Sequence, residues 1–236
     1  PPAARPTGRL GHLTGTVRFD GPVPERPHPR RDRDPYCAQH PAAGDDELAI
    51  HDGKLADVLV RVSPGPPPPR AAGATAAAPP TDGAAGAPPV VIDQRDCAYT
   101  PRVVALRPGQ PLVVKNSDGT FHNVHGTIRG DHAWNRPASP GDPPLTLDGS
   151  TRPGDVIDVV CDVHPWMRAY AVVVAHAGYA ITGADGAFAI GGLPPGTYQV
   201  EAWHPVLGTR TAKVAVTAGA TATVPLAFSR ADASGR

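Results

Sequence analysis

The chain has 236 residues, with Lys plus Arg and Asp plus Glu both at 22 and a formal net charge of zero. A balanced chain of this kind offers no bulk attraction for nucleic acid or an anionic membrane surface, and no run of about 18 apolar residues is present to span a bilayer. Aromatics make up only 5%, while 31 prolines and 26 glycines punctuate short Val-rich runs, which predicts an all-β chain of one large or two small domains.

The first residues, Pro1-Pro2-Ala3-Ala4-Arg5, carry neither an initiator Met nor an apolar signal core. The expectation is a mature exported chain whose signal peptide has been removed. Residues 1–9 are expected to fray. Leu13 to Phe19 alternates as a strand and stops at Asp20-Gly21-Pro22. Residues 24–46 are polar and Pro-rich, with Arg30-Arg31-Asp32-Arg33-Asp34 nearly self-cancelling in charge, so they read as a solvated loop. Leu48–Ile50 and Val58–Val62 are the next strand signals. Residues 63–89 are rich in Pro, Ala and Gly and read as a linker that cannot offset its ordering entropy.

Strand signals resume at Val90–Ile92, Val103–Leu106, Leu112–Lys115, Val156–Val160 and Ala171–Val174, a spacing that suits an antiparallel Greek-key sandwich. From Tyr179 the rhythm changes. Tyr179–Thr182 leads to a hairpin signal at Ala184-Asp185-Gly186, followed by Phe188–Ile190, a strand after Leu193-Pro194-Pro195-Gly196, and two more near 210–216 and 221–228.

Cysteines number three, Cys37, Cys97 and Cys161. An odd count in an exported chain commonly means one disulfide and one special thiol. Cys161 lies in a ligand-rich loop, which leaves Cys37 and Cys97 to pair in an oxidising compartment; three inert buried thiols are the alternative.

Cys161-Asp162-Val163-His164-Pro165-Trp166-Met167 places a thiolate, an imidazole and a thioether within one short loop, and Phe121-His122-Asn123-Val124-His125 offers a second imidazole. Such a set is that of a blue-copper electron-transfer centre. Pro165 restricts the loop, Trp166 can shield the ion, and Asn123 can hydrogen-bond across to the cysteine loop. A zinc half-site is disfavoured because Met is a poor zinc ligand and no second thiolate is near. A Cys161–His164 nucleophile and base would lack visible oxyanion donors. His125 shares a strand face with Asn123 and reads as a supporting or surface residue. His132, His176 and His204 read as structural or solvent-facing.

The two stretches together resemble the cupredoxins, most closely the short-loop amicyanin type, over roughly residues 88–176. The resemblance implies copper ligands His122, Cys161, His164 and Met167, with Phe121 standing where that type has Pro. Thr182-x-x-Asp185-Gly186-x-Phe188-x-Ile190, then Leu193-Pro194-Pro195-Gly196-x-Tyr198, resembles the carboxypeptidase regulatory-like (transthyretin-like) sandwich domain. Gly15-Thr16-Val17 and Val58-Leu59-Val60 look like that domain's opening strands, displaced upstream. The expected organisation is a cupredoxin domain over 90–176 inserted into a second, Ig/transthyretin-like sandwich built from 10–62 and 177–229, with packing of the N-terminal strands on the cupredoxin unit as the alternative. The implied function is an exported, periplasmic or secreted type 1 copper protein that shuttles single electrons to a redox partner protein, with no enzyme activity and with His164 as a surface-reaching exit port. A copper carrier or storage protein without a redox partner is the alternative, and a structural β-sandwich with an empty motif is a third reading.

Overall fold

The structure, a computed structural model, describes residues 9–24, 30–40, 47–64, 87–147 and 151–234. Residues 1–8 of the frayed end expected at 1–9, and 65–86 of the linker expected at 63–89, lie outside them. Among the described residues the chain is all-β apart from two short 3-10 turns, and it divides into two compact units.

Four strands come first: β1 (Gly11–Asp20), β2 (Ile50–His51), β3 (Lys54–Leu55) and β4 (Leu59–Pro64). In β1 every second side chain turns inward, so Leu13, Val17 and Phe19 are buried, the period of a strand with one face on a core. The central stretch holds β5 (Val90–Arg95), β6 (Ala98–Thr100), β7 (Val103–Leu106), β8 (Leu112–Asn116), β9 (His122–Ile128), β10 (Asp131–Ala138), β11 (Leu145–Leu147), β12 (Val156–Val160) and β13 (Arg168–Val173). The chain closes with β14 (Tyr179–Ile181), β15 (Ala187–Leu193), β16 (Gly196–His204), β17 (Gly208–Val216), β18 (Thr221–Thr223) and β19 (Leu226–Ser229).

In the first unit the early strands pair with the late ones. β1 runs antiparallel to β15, from Gly11↔Leu193 to Thr16↔Ala187, and parallel to β18 and β19. β4 lies between β14 and β16, and β16 pairs with β17 along its whole length. Gly15 is a position where only hydrogen fits: a Cβ there would collide with the Val224 carbonyl and the Phe188 ring. Thr182 ties the unit together, donating to the Leu55 carbonyl at 2.8 Å and accepting from the Val58 amide at 3.1 Å.

The second unit has two sheets, β10-β9-β12-β13-β7 and β11-β8-β5-β6. Ile92, Leu112, Val114 and Leu147 from one face Val104, Val124, Ile157, Val159 and Val173 from the other in a single buried cluster. Burying such side chains from both sheets supplies the main stabilisation, roughly 1.5–3 kcal/mol for each large aliphatic group. Cys161 and Met167 belong to the same cluster, so two of the four sequence-predicted ligands are rooted in the core.

Residues 30–40 differ from the solvated loop expected of 24–46. They belong to the second unit and not to the sandwich expected from 10–62. Cys37 is fully buried and disulfide-bonded to Cys97. Arg31 is also buried, donates to the Asp96 carbonyl at 2.9 Å and lies over the Trp166 ring. A covalent tie and a buried cation outweigh the polar composition of the segment.

Candidate metal centre

His122 opens β9, and the stretch 161–167 connects the antiparallel neighbours β12 and β13. Because β12 also pairs with β9, with Val160 opposite His125, the loop is delivered to the start of β9. The loop is folded by its own backbone: the Met167 amide donates to the His164 carbonyl at 2.9 Å, and the Cys161 amide to the Met167 carbonyl at 3.2 Å.

Three ligand atoms meet there. His122 Nδ1 and His164 Nδ1 are 2.9 Å apart, and Cys161 Sγ lies 3.9 Å from the first and 3.8 Å from the second. His122 is fully buried, and His164, Cys161 and Met167 are nearly so. The remote nitrogen of each imidazole faces a carboxylate. His122 Nε2 is 2.9 Å from Asp118 Oδ2, and His164 Nε2 is 3.1 Å from Asp34 Oδ2. An ionised carboxylate only accepts, so each Nε2 carries a proton, and each Nδ1 is left to donate to Cys161 Sγ when it is protonated and to offer its lone pair to an ion when it is not. Two imidazole nitrogens and a thiol therefore converge on one buried point, with ring orientation fixed from outside. This donor set fits a copper ion: nitrogen and sulfur, no oxygen, with the soft thioether of Met167 at the end of the same loop.

The electrostatics follow from those contacts. Burial pushes the Cys161 thiol up, but the hydrogen bonds from His122 and His164 outweigh it and bring it down to about 6. Burial lowers the pKa of His122, but the contacts with Asp118 and Cys161 outweigh it and leave it raised. Asp118 is held low despite its burial by His122 and by the Cys97 and Asp96 amides.

Asp118 also shapes the backbone. Asp96 and Cys97 both have positive φ, 54° and 55°, as the two central residues of a type I′ hairpin turn require. Their amides donate to Asp118 at 2.7 and 2.9 Å. One carboxylate thus fixes both His122 and the turn that carries the disulfide.

Asn123 reaches the cysteine loop: its Oδ1 accepts from the Asp162 amide at 2.7 Å and lies 3.3 Å from Cys161 Sγ. Trp166 is half-buried, its ring 5.0 Å from that of His164, and its Nε1 donates to the Cys97 carbonyl at 3.0 Å. Pro165, exposed, lines a cavity of about 860 Å³ together with Val163, Arg33 and Asp34. His125 points outward and meets Asp162.

One expectation is corrected. His164 does not reach the surface as an exit port, since only 2% of it is exposed. Asp34 covers its Nε2, and Cys37 Sγ stands 3.8 Å from the same nitrogen. Sequence reasoning missed Asp34 and Asp118. Asp118 lies in the turn before His122, and Asp34 three residues before Cys37; the Cys37–Cys97 pairing was the signal that could have brought Asp34 to the site.

Residues 167–229 match the family model of the carboxypeptidase regulatory-like domain, so the chain contains an Ig-like β-sandwich of that kind. The match begins at Met167, inside the second unit, ten residues before the boundary expected at 177. No curated protein matches the chain. Among solved structures, amicyanin from Paracoccus versutus is 22% identical, with 39% of this chain and 88% of that one covered and a TM-score of 0.32. An amicyanin variant in its Cu(I) form is 23% identical over 39% of this chain and 90% of that one, with a TM-score of 0.32. A purple cupredoxin from Nitrosopumilus maritimus is 20% identical over 36% of this chain and 98% of that one, with a TM-score of 0.29.

Proposed function

We propose that the protein is an exported type 1 copper protein that carries single electrons to and from a partner protein, and that it catalyses no reaction of its own. The observation that carries this reading is the pairing of each imidazole's Nε2 with a carboxylate while both Nδ1 atoms face Cys161. His122, Cys161 and His164 would hold the ion, with Met167 as the soft axial group that tunes its potential. When bound, copper supplies a one-electron couple and a thiolate charge-transfer absorption. The side chains do the rest. Asp118 and Asp34 hold the rings, the buried cluster excludes water, and the strand ends keep the donors in place as the charge changes. The Cys37–Cys97 disulfide supports an oxidising compartment.

A copper carrier or storage role is the second reading. It is favoured by the cover that Asp34 and Cys37 place over His164, since a covered ligand suits retention as well as exchange. Addition of Cu²⁺ to the metal-free chain, followed by visible absorption and electron paramagnetic resonance, tests the proposal. An intense visible band with small hyperfine splitting that bleaches and returns on reduction and reoxidation is expected. A colourless protein overturns both readings as stated for copper bound through thiolate, and a band that cannot be reversibly bleached leaves the carrier role.

A further inference from the structure

Two histidines outside the buried triad face each other on the solvent side of the β9–β10 hairpin. His125 Nε2 and His132 Nδ1 are 3.3 Å apart, with ring centroids at 5.3 Å. On its other side, His125 Nδ1 lies 2.9 Å from Asp162 Oδ1. The carboxylate accepts, so His125 Nδ1 carries the proton and Nε2 presents a lone pair toward His132. Asp162 is itself fixed. Its Oδ2 accepts from Asn123 Nδ2 and from Asn135 Nδ2, both at 2.8 Å.

This is the arrangement by which proteins orient a metal-binding imidazole: a carboxylate on one ring nitrogen and a free lone pair on the other. The separation has a metal-site meaning too. A tetrahedral ion bound to imidazole nitrogen at about 2.0–2.1 Å sets two donors about 3.3 Å apart, the edge of that tetrahedron. We propose that His125 Nε2 and His132 Nδ1 form a second, solvent-facing site for a divalent ion of the imidazole-preferring class, with water in its remaining positions. On binding, His132 takes the tautomer with its single proton on Nε2, so that Nδ1 offers its lone pair to the ion. Cu²⁺ binds such a pair more tightly than Zn²⁺ does. The site shares no ligand with the buried triad and does not depend on copper being bound there.

Titration of the full metal-free chain with Zn²⁺, read by calorimetry, tests this. His132→Ala is expected to lose one equivalent of bound zinc relative to wild type while keeping the wild-type thermal unfolding profile. Asp162→Asn is expected to weaken the same equivalent by about 10–100-fold. In a Cys161→Ser background, which disables the buried triad, the equivalent that depends on His132 is expected to remain. That separates failure of this site from failure of the buried centre. Equal zinc stoichiometry and affinity in wild type and His132→Ala overturns the proposal.

Discussion

Asp34 Oδ2 sits 3.1 Å from His164 Nε2 and so occupies the edge of the imidazole that a surface-facing ligand would leave open. Asp34 is pinned as firmly as it pins. It accepts from the Tyr36 amide at 2.8 Å, the Cys37 amide at 3.0 Å and the Thr120 hydroxyl at 2.9 Å. The pKa of Asp34 is pushed up by partial burial, but these donors together with His164 bring it below the usual carboxylate value. Replacing Asp34 by Ala removes one acceptor from four donors, and an expected loss of about 2–4 kcal/mol follows. Denaturant unfolding of the metal-free chain measures it; a loss below about 0.5 kcal/mol would show that the cover over His164 contributes little.

The disulfide holds the same segment from the other end. Cys37 and Cys97 are separated by 60 positions, and closing a loop of that size in the unfolded chain is worth about 4 kcal/mol in the chain-entropy account. Unfolding with and without a thiol reductant is expected to differ by about that amount. Thiol counting on the denatured, unreduced chain is expected to give one reactive group, Cys161.

Cys161 should be readable optically in two ways. Cys161→Ser is expected to abolish the visible band of the copper-loaded protein, because the thiolate supplies it. In the metal-free chain the ultraviolet thiolate absorbance is expected to titrate near 6, against an ordinary value of 9.0. The folded value lies below the unfolded one. Ionisation of Cys161 therefore favours the folded chain fully above about 9, and that contribution is lost as the pH falls through about 6. A midpoint near 9 would mean that His122 and His164 do not hold the thiolate.

The first unit offers an independent test. Leu13 is fully buried where β1 lies between β15 and β18. Leu13→Ala is expected to cost about 2–5 kcal/mol, measured by denaturant unfolding, while the visible band of the copper-loaded protein keeps its position. A shifted band would show that β1 supports the metal-binding unit.

Much of this was legible because the buried strands are short apolar runs with clear stops. Val103–Leu106 and Val156–Val160 coincide with β7 and β12 residue for residue. The stretch expected as one strand at 221–228 is two, divided at Val224-Pro225, where proline withholds a ladder donor. β10 gave no signal: Asp131–Ala138 is mostly exposed and polar and contains Pro137. It is held by its ladder to β9 and by Trp134, whose ring covers Gly126 where any Cβ would collide. The two carboxylates were illegible for a different reason. Asp34 and Asp118 look like ordinary loop and turn residues until the fold sets an imidazole nitrogen against each.

The pairing of Gly11–Asp20 with strands after residue 186 has a consequence for the order in which the protein is made. A chain emerging from its N-terminus completes every strand of the metal-binding unit while β1 still lacks β15, β18 and β19. Until then the row of Leu13, Val17 and Phe19 lacks those three partners, and the ladder groups that will meet them are open to any passing edge. A chain that stops short of β15 leaves those groups open for good, so the last fifth of the sequence is what makes its first strand safe.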